Sequence, residues 1–147
     1  MKNKLEIGSL LLRAVLGFTF FMHGLDKFQG GLENFAASFP SMGLPSLLGY
    51  VVGIIELVGG IALILGLGTR IFSTLMAVIM LGAIFFVKLS NGFIGGYELD
   101  VVLMIVAIHL MLNGSHLLAV DSKLLKLKSI FSRNVREEYL DKNEGIS

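Results

Sequence analysis

Four stretches of this chain, residues 7 to 25, 46 to 67, 71 to 89 and 98 to 118, are each about as long and as apolar as a helix that crosses a bilayer. Roughly 20 residues at a rise of about 1.5 Å span the hydrocarbon layer. Inside it every backbone N–H and C=O must be satisfied within its own segment, which helices achieve and open strands do not. Ile71 to Val87 carries no charged residue, and Leu47 to Leu67 carries only Glu56. Composition agrees, since 54% of residues are apolar, mean hydropathy is +0.81 and only 16% are charged. The sequence therefore predicts an all-α, integral membrane four-helix bundle. A net charge of +1 supplies no basic face for nucleic acid. The absence of cysteine excludes disulfides, thiolate nucleophiles and Cys-ligated zinc or iron–sulfur centres.

Basic residues set the expected orientation. Lys2, Lys4, Arg70, Lys123, Lys126, Lys128, Arg133, Arg136 and Lys142 fall on one side of the four spans, and only Lys27 and Lys88 on the other. The split places both termini in the cytoplasm of a multi-pass plasma-membrane protein. The first span is longer than a signal-peptide core and is followed by Gly24-Leu25-Asp26-Lys27-Phe28 rather than a small-residue cleavage site, so it is expected to be retained. Between the first two spans, Leu32, Phe35, Ala36 and Phe39 recur at helical spacing before Pro40, which predicts a short helix on the outer surface. Residues 1 to 120 form the expected membrane domain. From Asp121 the chain reads as a C-terminal amphipathic helix, with Leu124, Leu127, Ile130 and Phe131 on one face and Lys123, Lys126 and Arg133 largely off it. Its end is expected to fray after Tyr139.

Helices in lipid associate through small residues and polar partners, because burying leucine against leucine gains little there. Gly17 and Gly24 on the first span, and Gly49, Gly53 and Gly60 on the second, mark the expected seams. An ionisable group at mid-membrane costs about 2.5 to 3.5 kcal/mol or more, so it normally faces the bundle interior with a partner. By residue count Arg13 lies about 9 Å in from the cytoplasmic end of its span, Glu56 about 15 Å from either end of its own and His109 near mid-depth, while His109, Asn113 and His116 share a stripe about 60° wide. Arg13, Glu56, His109 and Asn113 are therefore expected to meet. A second group, His23, Asp26, Lys27, Lys88, Tyr97, Glu98 and Asp100, gathers at the outer boundary as the rim of an opening.

Each group also has a purely structural reading: Arg13 and Glu56 as an ion pair fixing register, His109 as a satisfied interior histidine, Lys88 as a snorkelling anchor. The two-turn spacing of His109 and His116 does not suit a metal site. A haem between His23 and His109 is disfavoured by a depth difference of roughly 10 Å. These residues suit a quinone-like ligand better, since it needs an apolar slot, a donor for each carbonyl oxygen and groups that carry protons. Any electrons would come from a bound cofactor or a partner subunit.

The order Leu12-Arg13, His23-Gly24, Lys27-Phe28, Gly30-Gly31, Gly43-x-Pro45, Glu56-x-x-Gly59-Gly60-x-x-Leu63, Gly66-x-Gly68-Thr69-Arg70 and Gly95-Gly96-Tyr97-Glu98-Leu99-Asp100 resembles the DoxX family of small membrane proteins, from about residue 7 to 121. The resemblance implies a four-helix membrane bundle in a redox setting, the family being named from a small subunit of an archaeal thiosulfate:quinone oxidoreductase. It also singles out Arg13, His23, Lys27, Glu56, Arg70, Glu98 and Asp100. The expected function is a membrane subunit of an oxidoreductase system that binds a quinone-like or small aromatic redox molecule. In that reading Arg13 and His109 orient the ligand and Glu56 handles protons, while His23, Lys27, Asn113, Glu98 and Asp100 complete the binding set. The alternative is a non-enzymatic carrier of a small metabolite, or a scaffold for a soluble redox partner docking on the basic tail. Unused glycine seams would allow a homodimer.

Overall fold

Glycines and prolines cut the apolar sequence into helices. The computed structural model describes residues 2–115, 117 and 119–144, with backbone alone at 2, 3, 124, 134 and 137–144. Helix α1, Lys2–Gln29, ends at Gly30-Gly31, where Gly31 takes a φ of 94° that a side chain would strain. The short α2, Leu32–Ala37, follows, then a 3₁₀ turn over Phe39–Met42 containing Pro40. Helix α3, Ser46–Leu65, begins after Pro45. It stops at Gly66, whose left-handed backbone lets Gly66 N–H donate to Leu63 and Leu67 N–H to Ala62. Helix α4, Thr69–Ala83, runs into a π-helical turn, Ile84–Lys88. Helix α5, Glu98–Asn113, ends at Gly114, and α6 is Val120–Glu144. No strand occurs among the described residues.

Four of these helices are long and apolar enough to cross a membrane, over Lys4–Gln29, Ser46–Leu65, Thr69–Asn91 and Phe93–Asn113. Their boundaries shift by a few residues from all four expected spans. Helix α1 extends past both ends of residues 7 to 25, because no breaker precedes Gly30. Helix α5 stops at Asn113 rather than 118: Asn113 donates from its side chain to the His109 carbonyl and Gly114 N–H donates to Leu110, which closes the helix. Helix α6 continues to Glu144, beyond Tyr139. His116 lies outside the described residues.

Contacts run α1 to α3, α3 to α4, α4 to α5 and α5 back to α1, which closes an up-and-down bundle of antiparallel neighbours. Its centre is Leu16, Phe20, Leu63, Met76, Met80, Leu103, Ala107 and Leu110. Outward-facing Phe18, Val78 and Ile105 are exposed apolar side chains on different spans, as a lipid-facing surface requires. The glycine seams divide the work. Gly17 and Gly24 of α1 press against the Gly60 carbonyl and the Leu57 backbone of α3, whereas Gly59 receives Met76 and Phe72 of α4. Gly49 and Gly53 receive Ala36, Phe39 and Leu32 from α2 and its following turn rather than another span. Helix α2 thus covers the end of the bundle opposite both termini, with Ala36 and Phe39 buried.

Candidate functional site

Side-chain direction decides which charges meet. A helical side chain leans toward the N-terminus of its own helix. On α1 that sends Lys27 inward from the α2 end; on α3, which runs the other way, it sends Glu56 outward toward Lys27. The two form an ion pair, with the side chain of Glu56 only 3% exposed and that of Lys27 16%. Lys27 also sits 4.9 Å from the centre of the Phe35 ring, so α2 lies over the pair. His23, one turn before Lys27, is within electrostatic reach of Glu56 and is itself exposed on α1, with its ring 6.5 Å from that of Phe20. An exposed imidazole, a buried carboxylate and an ammonium therefore share one end of the α1–α3 seam.

Arg13 and Glu56 do not meet. Gly24 lies level with Leu57, and Gly66 lies against the Arg13 guanidinium, so Glu56 is level with the outer part of α1 while Arg13 belongs to the opposite end. Their side chains lean apart for the reason that brings Lys27 and Glu56 together. Arg13, 1% exposed, donates from Nη1 to the Ser115 carbonyl at 3.1 Å and to Ser115 Oγ at 3.3 Å, and it feels the charges of Asp121 and Glu6. His109 joins neither residue. Its Nε2 is 3.3 Å from Ser9 Oγ, its Nδ1 is 3.4 Å from Asn113 Nδ2, and both His109 and Asn113 are exposed. His109 therefore neighbours residue 9 of α1, about 21 Å along the helix from His23. That separation is too long for the two histidines to share a haem.

At the outer rim only part of the expected set pairs. Lys88, carried by the π turn, donates to both oxygens of the buried Asp100, at 3.0 and 2.7 Å. Asp100 also lies in the first turn of α5, where the helix dipole favours a carboxylate. Glu98 and Asp26 are exposed, and Arg70 is exposed in the first turn of α4. No group of three His, Asp or Glu side chains is placed to hold a metal ion among the described residues.

Several contributors had escaped the sequence reading. Ser9 and Ser115 carry no charge to mark them, and Phe35 looked like one more apolar residue of a surface helix. Asp121, at the start of α6, accepts a 2.6 Å hydrogen bond from Gly68 N–H at the start of α4. Thr69 and Ser73 lie on the buried stripe of α4 that continues through Met76 and Met80, and their hydroxyls have no hydrogen-bond partner among the described residues.

A bundle of four membrane-length helices, closed by glycine contacts and holding ion pairs between its spans, defines a small integral membrane protein with polar chemistry inside an apolar shell. Residues 8–89 match the family model described as DoxX, and the chain belongs to the DoxX family. It is 48% identical over 128 residues to a Bacillus subtilis (strain 168) protein named "Putative oxidoreductase CatD", covering 87% of this chain and 95% of that one. An uncharacterized protein of Haemophilus influenzae (strain ATCC 51907 / DSM 11121 / KW20 / Rd) is 34% identical over 121 residues, covering 78% of this chain and 89% of its own. No solved structure matches the chain.

Proposed function

We propose that this protein is the membrane component of an oxidoreductase system and binds a quinone-like or small aromatic redox molecule at the α2 end of the α1–α3 seam. The observation that carries the reading is the buried Lys27–Glu56 pair, which lies one turn from the exposed His23 on α1. A desolvated charge pair is a poor device for stability, because well-packed apolar residues in its place hold helices together as well or better. The glycine contacts already hold α1 to α3. Family membership and the oxidoreductase name of the Bacillus subtilis relative support the redox setting.

The residues fit such a ligand. His23 and Lys27 offer N–H donors for ring oxygens, Phe20 and Phe35 supply aromatic surface nearby, and Glu56 can hold a proton out of water. A bound quinone supplies a two-electron, two-proton couple, and the electrons come from a partner protein or a second cofactor. His23 would orient the ring and pass it two protons in turn, each regained from water at the exposed face; Glu56, its charge balanced by Lys27, would take up a proton when the reduced ring is reoxidised. In this reading His23 and Lys27 take the ligand-facing roles expected of Arg13 and His109, and Glu56 keeps the proton role.

The test is a titration of ubiquinone and menaquinone analogues against the protein in lipid nanodiscs, with Glu56→Gln, His23→Ala and Arg13→Ala variants whose folding is checked by circular dichroism. Saturable binding that weakens at least about tenfold, roughly 1.4 kcal/mol, in the first two variants is the expected result. No binding by folded wild type overturns the proposal. So does weakening confined to Arg13→Ala, which would put the ligand at the other end of the bundle.

A further inference from the structure

Beyond its first turn, helix α6 leaves the apolar side chains described on it exposed. It is 25 residues long, and Leu127, Phe131 and Val135 on one face are 63%, 71% and 49% exposed. At 100° per residue these three and Val120 fall within a sector of about 80°. Lys126, Arg133 and Arg136 occupy the far side, while Lys123 and Lys128 flank the apolar sector on either edge. Over residues 120–136 the five basic residues face a single acidic one, Asp121.

The position of the helix narrows what can cover that face. Asp121 accepts from Gly68 N–H at 2.6 Å, its own N–H donates to the Gly66 carbonyl at 3.4 Å, and Ala119 is buried against Gly66. Helix α6 therefore starts beside the α3–α4 turn, where two membrane-length helices end and headgroups begin. The nearest surface to an apolar stripe edged by lysines at that level is the lipid interface. There the stripe sinks into the acyl boundary, and the flanking ammonium groups rise to phosphates.

We propose that α6 lies on the membrane surface with Leu127, Phe131 and Val135 immersed, and that Lys123 and Lys128 select anionic phospholipid headgroups. This surface is separate from the candidate ligand site at the opposite end of the bundle, and the proposal stands without it. The Asp121–Gly68 contact anchors only the start of the helix beside the spans, leaving the rest of it to dock.

The chain has no cysteine, so single labels report cleanly. Full-length protein carrying Val135→Cys on the apolar face, or Ser129→Cys on the polar one, is labelled with an environment-sensitive fluorophore. It is placed one copy per nanodisc in phosphatidylcholine alone or mixed with phosphatidylglycerol. The expected result is a blue shift and a several-fold loss of acrylamide quenching at Val135, but not at Ser129, in the mixed lipid. At the salt concentration where wild type is half docked, Lys123→Gln with Lys128→Gln lowers the docked-to-undocked ratio about 25-fold. Equal quenching at the two positions overturns the proposal, as does protection that is the same in both lipids. Protection that appears only with two copies per disc overturns it in favour of a second chain as the covering surface.

Discussion

Removing the ammonium of Lys27 leaves the Glu56 carboxylate 3% exposed in an apolar bundle with its partner gone. Breaking a buried pair from one side costs about 3–5 kcal/mol, whereas replacing both charges by apolar groups of similar size is often neutral. Lys27→Met is therefore expected to destabilise the protein by an amount in that range, and adding Glu56→Leu to recover most of it. Denaturant unfolding of wild type, both single variants and the double variant in micelles measures the coupling. Additive single effects would show that the two side chains do not interact. Which charges belong together was only half legible in the residues themselves. Depth along each span is a count of residues, and counting puts Arg13 about 9 Å and Glu56 about 15 Å in from the cytoplasmic end, within reach of each other only if their side chains lean together. Pairing depends on the lean of each side chain and on the register between antiparallel helices, which counting does not supply. Lys27 had been placed with the rim because the first span was ended at residue 25. In the structure the helix continues to Gln29, and the lysine folds back into the bundle.

The same limit recurs among elements. Apolar length is a direct consequence of bilayer thickness, so all four spans and the short α2 could be read from the sequence. Gly17, Gly24 and Gly60 could be named as contact points, but nothing in a GxxxG spacing says what fills it, and α2 rather than a span occupies Gly49 and Gly53. The glycines also differ in what they tolerate. A methyl at Gly24 would stand 2.5 Å from the Leu57 backbone nitrogen and 2.6 Å from its Cα, and neither atom can yield without separating α1 from α3. Gly82, inside α4, has nothing within 4 Å of such a methyl. Gly24→Ala is expected to cost about 1–3 kcal/mol. Gly82→Ala should raise stability by about 0.5–1 kcal/mol through the entropy of the unfolded chain. Thermal melts of both variants in one detergent check the contrast, and similar shifts of one sign would show that the α1–α3 contact is looser than the geometry requires.

For the whole molecule, the up-and-down order of four spans puts both termini at one end and α2 at the other, whichever way the bundle sits in the bilayer. Orientation is then one binary choice, and the distribution of basic residues gives the expectation for it. At the α2 end the only lysines or arginines are Lys27 and Lys88, each paired with a carboxylate in the folded bundle. Lys2 and Lys4 at the start of α1, Arg70 at the start of α4 and six basic residues after residue 120 make nine on the other side of the spans. With the termini in the cytoplasm, an impermeant maleimide applied to intact cells is expected to label Glu33→Cys on α2 and to spare Lys4→Cys and Ser132→Cys. Those two positions should react only after the membrane is opened. All three side chains are exposed, so burial does not mask the readout. Labelling of Lys4→Cys and Ser132→Cys in intact cells, with Glu33→Cys protected, would invert the bundle. It would also place the His23–Lys27–Glu56 cluster on the cytoplasmic side, within reach of soluble electron donors.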